Sequence, residues 1–277
     1  MNEIYIRKKL EEFLLEDLGY VEIDLTKNQS VWANIIAEEN GIFCGGRFIN
    51  SIFGLLMPVG YSLPAITLLK KEGEKFSENT AIVSFRGHPE ILRHGIRTVL
   101  NLIQHLSGIA TNTSRMVEQI AKYQCKILDI RKTIPGLRVF EKYAVRTGGG
   151  YNHRFGRYCG ILLKKEDIKI DGGIRQSIEK AFKNKSHLEA VEVEVENLKE
   201  LEEVLKDGRV KHVLLDNMNL RTMRQAVKKY GRNVILEASG IGNKDLRKVA
   251  KTGVHFISTS SLILDAKPIK MKMIIVD

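Results

Sequence analysis

From residue 126 onward the chain repeats one rhythm, a short apolar strand followed by an amphipathic helix. The strands are KILDI at 126–130, GILLK at 160–164, VEVEV at 191–195, HVLLD at 212–216, VILEA at 234–238 and HFIST at 255–259. Between the later ones lie helical patterns near 173–184, 197–206, 219–229 and 243–252. Short apolar runs separated by helices are strands of a parallel sheet covered on both faces. An α/β architecture follows. Six such strands suit an incomplete barrel, although periodicity alone does not separate a barrel from an open doubly wound sheet.

The first hundred residues read differently. A helix is expected near 3–17, a strand at Val31–Glu38, a helix near 45–56, and strand-like segments at Ile66–Lys70 and Thr80–Phe85. That mixture is an α+β layer. A long helix follows from Pro89 to about Tyr123, with Leu92, Ile96, Val99, Leu100, Ile103 and Leu106 on one face and a bend or split expected at Ser107-Gly108. The alternating tail at 269–276 reads as a strand returning to the N-terminal layer. The expected division is 1–105, joined by 266–277, and 106–265.

Forty-four basic residues against thirty-three acidic ones give +11. The basic residues are scattered along helices, with no run of five and no aromatic-interleaved stripe, so small anions fit better than nucleic acid. Cys44, Cys125 and Cys159 lack the spacing of a zinc site and read as reduced thiols of a cytoplasmic protein. Residues 48–69 carry no formal charge and are long enough to span a bilayer. Gly54, Pro58, Gly60 and Pro64 break that stretch into helix, turn and strand.

In a barrel, chemistry gathers where strands end. Here KILDI runs into Arg131-Lys132, GILLK ends on Lys164, VEVEV carries Glu194, HVLLD ends on Asp216, VILEA leads into Ser239-Gly240, and HFIST leads into Ser260-Ser261. The loop TGGGYNHR adds His153-Arg154 behind three glycines expected to let backbone approach a ligand. Five cationic or potentially cationic groups therefore converge with two carboxylates. Blander roles exist for each residue alone: Asp216 can cap the next helix, and ASGIG can be a plain turn or a phosphate loop before a helix starting near Asn243.

These residues sit in segments that resemble the quinolinate phosphoribosyltransferases, also called carboxylating nicotinate-nucleotide pyrophosphorylases. The likeness is densest in TVLNLIQHLSGIAT (98–111), KILDIRKTIPGLRVFEKYAVRTGGGYNHRFGRY (126–158), VEVEVENLKEL (191–201) and LLDNM (214–218). It implies an N-terminal α/β sandwich packed on a partial α/β barrel, the type II phosphoribosyltransferase fold. It implies a homodimer, or a hexamer, in which each site takes an arginine from its partner, here Arg97. Arg131, Lys132, His153, Arg154 and Lys164 match the basic substrate-binding residues. Glu194 and Asp216 match the acidic residues at the ribose and magnesium end, and Ser239-Gly240 with Ser260-Ser261 match the 5-phosphate loops. Lys132, Lys164, Glu194 and Asp216 are the residues expected nearest the chemistry. The implied reaction joins quinolinate to phosphoribosyl pyrophosphate and yields nicotinate mononucleotide, pyrophosphate and carbon dioxide.

Four departures stand out. Lys165-Glu166-Asp167 replaces Asp-Asn-His after the barrel lysine, Ser239-Gly240-Ile241 replaces Ser-Gly-Gly, Ile96 replaces a glutamate, and Thr259-Ser260-Ser261 replaces Val-Gly-Ala. They leave open a paralogue acting on another anionic ring, such as the pyrophosphorylase-like protein associated with molybdate transport, or a non-catalytic metabolite sensor.

Overall fold

The computed structural model describes residues 2–26, 29–58, 60–242 and 245–276. The chain begins with α1 (Glu3–Leu18), β1 (Val31–Ala37), β2 (Gly41–Ile42), α2 (Ile49–Leu56), β3 (Ala65–Leu68), β4 (Lys75–Phe76), β5 (Ala81–Gly87) and α3 (Pro89–Ile120). It continues through β6 (Lys126–Leu128), α4 (Arg138–Thr147), β7 (Ile161–Leu163), α5 (Lys165–Ile170), α6 (Ile174–Asn184), β8 (Val191–Val195) and α7 (Leu198–Leu205). It ends with β9 (His212–Asp216), α8 (Leu220–Tyr230), β10 (Ile235–Ser239), α9 (Leu246–Ala250), β11 (Phe256–Ser258), α10 (Ser261–Leu264) and β12 (Met271–Val276).

Two compact units result. The first holds Met1–Thr113, Ile134–Gly149 and Asp265–Asp277; the second holds Ser114–Thr133 and Gly150–Leu264. Relative to a division at 105 and 265, residues Ile134–Gly149 cluster with the first unit. Within it Arg138–Thr147 forms α4, a helix not among the sequence-based expectations.

The first unit is built on an antiparallel sheet in the order β12-β1-β5-β3. The tail returns as expected, with Trp32 opposite Val276 and Ala37 opposite Met271. Its core is aromatic: Phe48 meets Phe140 edge-on with ring centroids 5.0 Å apart, and Phe53 meets Phe85 at 5.6 Å. The helix α3 is not split at Ser107-Gly108. A Cβ on Gly108 would lie 2.2 Å from the carbonyl oxygen of Lys267, so the glycine admits a crossing chain. Ser107 next to it accepts the Cys44 backbone N–H at 3.1 Å.

The second unit is a six-stranded parallel sheet in the order β6-β11-β10-β9-β8-β7. With β6 and β7 as its edges, it is a partial rather than closed barrel. Val193, Val213, Leu215 and Leu236 are fully buried, each contributing roughly 1.5–3 kcal/mol by leaving water. Because all six strands run the same way, their C-terminal ends open on one side. No helix among the described residues is long and apolar enough to cross a membrane. Residues 48–69 contribute the end of a short helix, α2 and the strand β3, as their breakers require.

Candidate active site

A cavity of about 680 Å³ lies at the strand ends of the second unit. It is lined by eleven of the twelve residues expected at a site: Arg131, Lys132, His153, Arg154, Lys164, Glu194, Asp216, Ser239, Gly240, Ser260 and Ser261. The twelfth, Arg97, is not among them; it is exposed on α3 in the first unit.

The basic end is held from several directions. Arg154 fixes one guanidinium nitrogen on the Gly160 carbonyl at 3.1 Å, and the residue lines the cavity. Burial, then the neighbouring Arg131 and Arg157, press its pKa down. Cations crowded this way are stabilised by an arriving anion, and guanidinium forks suit carboxylates in two-point contact.

The acidic end is Glu194 on β8 and Asp216 at the end of β9. Burial and the neighbouring Asp216 push the Glu194 carboxyl above its ordinary range, with Lys164 opposing the shift. Asp216 does not cap α8. That cap is Asn219, whose side chain accepts the Thr222 N–H at 2.9 Å. Asp216 instead accepts from Asn217 Nδ2 at 2.7 Å, so its carboxylate stays at the cavity wall.

The loop feeding His153 is organised by residues that the sequence reading passed over. Tyr151 bridges to Leu128 on the edge of β6, and Asp129 accepts both Asn152 Nδ2 at 2.5 Å and the His153 backbone N–H at 3.0 Å. His153 Nε2 lies 3.0 Å from Glu192 and 3.6 Å from Glu237. Glu237 sits almost fully buried in mid-strand, where burial and nearby Glu192 push its pKa up to about 7. Glu192 and Glu237 had a sequence signal. A carboxylate on the inward face of an apolar strand is costly and asks for a partner.

The first glycine of the run has a packing role. A Cβ on Gly148 would lie 2.4 Å from the Ala110 carbonyl oxygen, so this glycine admits α3 rather than a ligand. Ser239 to Gly242 and Ser258 to Ser261, the segments expected to hold a phosphate, all line the cavity. The helix after ASGIG is capped by Asp245, which accepts the Arg247 N–H at 2.8 Å; Asn243 lies outside the described residues.

The departure at 165–167 resolves into three separate roles. Lys165 pairs with Glu196 at 2.7 Å. Asp167 accepts the Lys164 backbone N–H at 3.1 Å and so starts α5. Only Glu166 lines the cavity.

Family models describing the quinolinate phosphoribosyl transferase N-terminal and C-terminal domains match residues 20–107 and 109–274. A probable nicotinate-nucleotide pyrophosphorylase (carboxylating) of Bacillus subtilis (strain 168) is 39% identical over 99% of this chain and 94% of its own length. One from Synechocystis sp. is 35% identical over 99% and 93%. The structure of the nicotinate-nucleotide pyrophosphorylase from Francisella tularensis superposes with a TM-score of 0.90 at 36% identity, covering 100% of this chain and 98% of that one.

Proposed function

The chain belongs to the quinolinate phosphoribosyltransferase family, and from that premise we propose that it is a carboxylating enzyme of NAD biosynthesis. It joins quinolinate to phosphoribosyl pyrophosphate, giving nicotinate mononucleotide, pyrophosphate and carbon dioxide. The observation that carries this reading is one cavity lined by the cations Arg131, Lys132, Arg154 and Lys164 together with the carboxylates Glu194 and Asp216.

Arg131 and Arg154 take the two ring carboxylates, and Lys132 and Lys164 add compact charge beside them. Ser239-Gly240 and Ser260-Ser261 hold the 5-phosphate through hydroxyl and backbone N–H groups. As pyrophosphate departs, positive charge grows on the sugar, and Glu194 and Asp216 lie on the side that stabilises it. The pyridine nitrogen becomes cationic on joining the sugar, which eases loss of the adjacent carboxylate as carbon dioxide. No covalent enzyme intermediate is required.

Glu194 and Asp216 fit a magnesium ion, because the Asp216 charge raises the proton affinity of Glu194, and two such neighbouring carboxylates gain from a shared divalent cation. Such an ion, bound with the substrate's own phosphates, would neutralise the charge of the leaving pyrophosphate. Arg97 reaches the site from a second copy of the chain, making the working unit a homodimer or a larger assembly of dimers.

Steady-state formation of nicotinate mononucleotide from quinolinate and phosphoribosyl pyrophosphate tests the reading. Tight binding of both substrates with no product would overturn it in favour of a metabolite sensor.

A further inference from the structure

The two nitrogens of His153 are both engaged by protein groups. The backbone N–H of Arg154 points at Nδ1 from 2.6 Å, which requires a lone pair there. The hydrogen of the ring must then sit on Nε2, where Glu192 Oε2 accepts it at 3.0 Å and Glu237 Oε1 waits at 3.6 Å. Asp129 holds the backbone of the same residue from the other side. The ring therefore lines the cavity as a neutral face with its carbon-bound hydrogens, and it adds no charge to the anion site.

The placement of Glu237 needs a reason. It is 3% exposed, and its Oε1 has no hydrogen-bond partner. Burying such a group without a bond costs stability, so its retention in the middle of β10 points to a task. The Ser258 hydroxyl and Nε2 of His153, the latter at 3.6 Å, are the donors that face it. Glu192 reaches the same nitrogen from β8, two residues before Glu194 on the same strand face. The carboxylates thus bracket one N–H from two strands of a rigid sheet.

We propose that Glu192 and Glu237 are positioning residues: they hold His153 as its Nε2–H tautomer, and His153 in turn fixes the backbone from which Arg154 presents its guanidinium. The chain of contacts runs from the barrel floor to the substrate side without a gap: carboxylates to Nε2, Nδ1 to the Arg154 N–H, and the Arg154 side chain to the Gly160 carbonyl and the cavity. Groups that must meet a planar dicarboxylate at defined angles need support of this kind. The positive charge offered to that ligand then comes from Arg131, Lys132, Arg154 and Lys164 alone. The part concerning the dicarboxylate rests on the activity proposed above, whereas the tautomer does not.

The test uses the full-length protein labelled with 15N-histidine and carrying no ligand. Long-range proton–nitrogen spectra at pH 8 report which ring nitrogen is protonated, and loss of signals in His153→Gln assigns residue 153. The expected result is a protonated Nε2 and an unprotonated Nδ1. An imidazolium, or the Nδ1–H form, would overturn the proposal. Glu192→Gln keeps an acceptor and should keep the tautomer; Glu192→Ala should give a mixture of both forms. In kinetics, Glu192→Ala should raise KM for quinolinate roughly tenfold with kcat little changed, the loss of about one positioned hydrogen bond. An unchanged KM would overturn the link to Arg154. If Glu192→Ala does not fold, Glu237→Leu, close in size and without an acceptor, provides the same two readouts. A selective shift of the His153 Nε2 signal on adding stoichiometric Zn²⁺ would replace the clamp by a metal site formed from these three residues. Should the wild type show no turnover, the activity fails while the nitrogen signals still decide the clamp.

Discussion

Gly240 is packed against Asp216: a Cβ built on Gly240 would lie 2.8 Å from Asp216 Oδ1 and 2.6 Å from Asn217 Oδ1. The contact arises from strand register, since Ser239 on β10 sits opposite Asp216 on β9 and the Asn217 N–H reaches the Ser239 carbonyl at 3.2 Å. Gly240 also has φ +61°, a left-handed conformation that costs other residues roughly 1–2 kcal/mol. A methyl group there must displace the carboxylate.

Gly240→Ala is therefore expected to lower kcat by roughly a hundredfold, the order seen when a catalytic group moves by about an ångström. Quinolinate KM should change far less, because the groups that a methyl there would meet are Asp216 and Asn217, and neither Arg131 nor Arg154. The kinetics of nicotinate mononucleotide formation, run beside thermal melting to confirm folding, would check it. An unaltered kcat would show that Asp216 has no positional role in turnover.

A shared site makes a separate prediction. Arg97→Ala and Lys164→Ala should each be nearly inactive alone. In heterodimers formed by unfolding and refolding them together, one site regains a wild-type lysine and a wild-type partner arginine. Random pairing then restores about a quarter of wild-type activity per chain. No recovery in a mixture shown by mass to contain heterodimers would mean that Arg97 acts within its own chain or not at all.

Much of this was legible because the strand ends are punctuated by polar residues. Arg131, Lys164, Asp216 and Ser239 each follow an apolar run, and parallel strands bring such ends to one side. Residues with a distributed role were harder to see. Glu192 looks like its neighbour Glu194 in VEVEV, and only the His153 ring distinguishes them. Gly148 and Gly108 read as flexible or ligand-facing because a sequence does not say which distant chain crosses a glycine. α4 was missed since its buried face, with Phe140, Glu141 and Val145, includes a carboxylate. Glu141 is satisfied only by His105 at 2.9 Å and the Ile134 N–H at 3.0 Å, both distant in sequence or in a loop.

Glu166 offers a test of what the departure from Asp-Asn-His does. It lines the cavity, placing a carboxylate near groups that receive an anion, while Asp167 acts on Arg154 from beside it. Removing that charge should help the substrate. Glu166→Asn is expected to lower KM for quinolinate about fivefold, corresponding to ~1 kcal/mol, with the effect shrinking as salt rises. Lys165→Asp should leave KM in place, since Lys165 faces Glu196. Equal effects at both positions would deny Glu166 its special placement.

The buried carboxyl of Glu237 couples stability to pH. Its pKa in the folded chain is pushed up to about 7, mainly by burial and then by Glu192, against about 4.3 for an unfolded glutamate. The folded state binds this proton more tightly, so its stabilising effect is complete below the unfolded value and is lost as pH rises through about 7. The amount is on the order of 3 kcal/mol. Urea unfolding of the wild type at pH 5 and pH 8 should show this loss on top of other titrations. Glu237→Gln, which cannot ionise, should lack that component, so the difference between the two proteins should narrow or reverse towards pH 8. Parallel pH profiles for both would place the carboxyl in an environment as hydrated as the unfolded chain and remove the reason for regarding it as a buried support of His153.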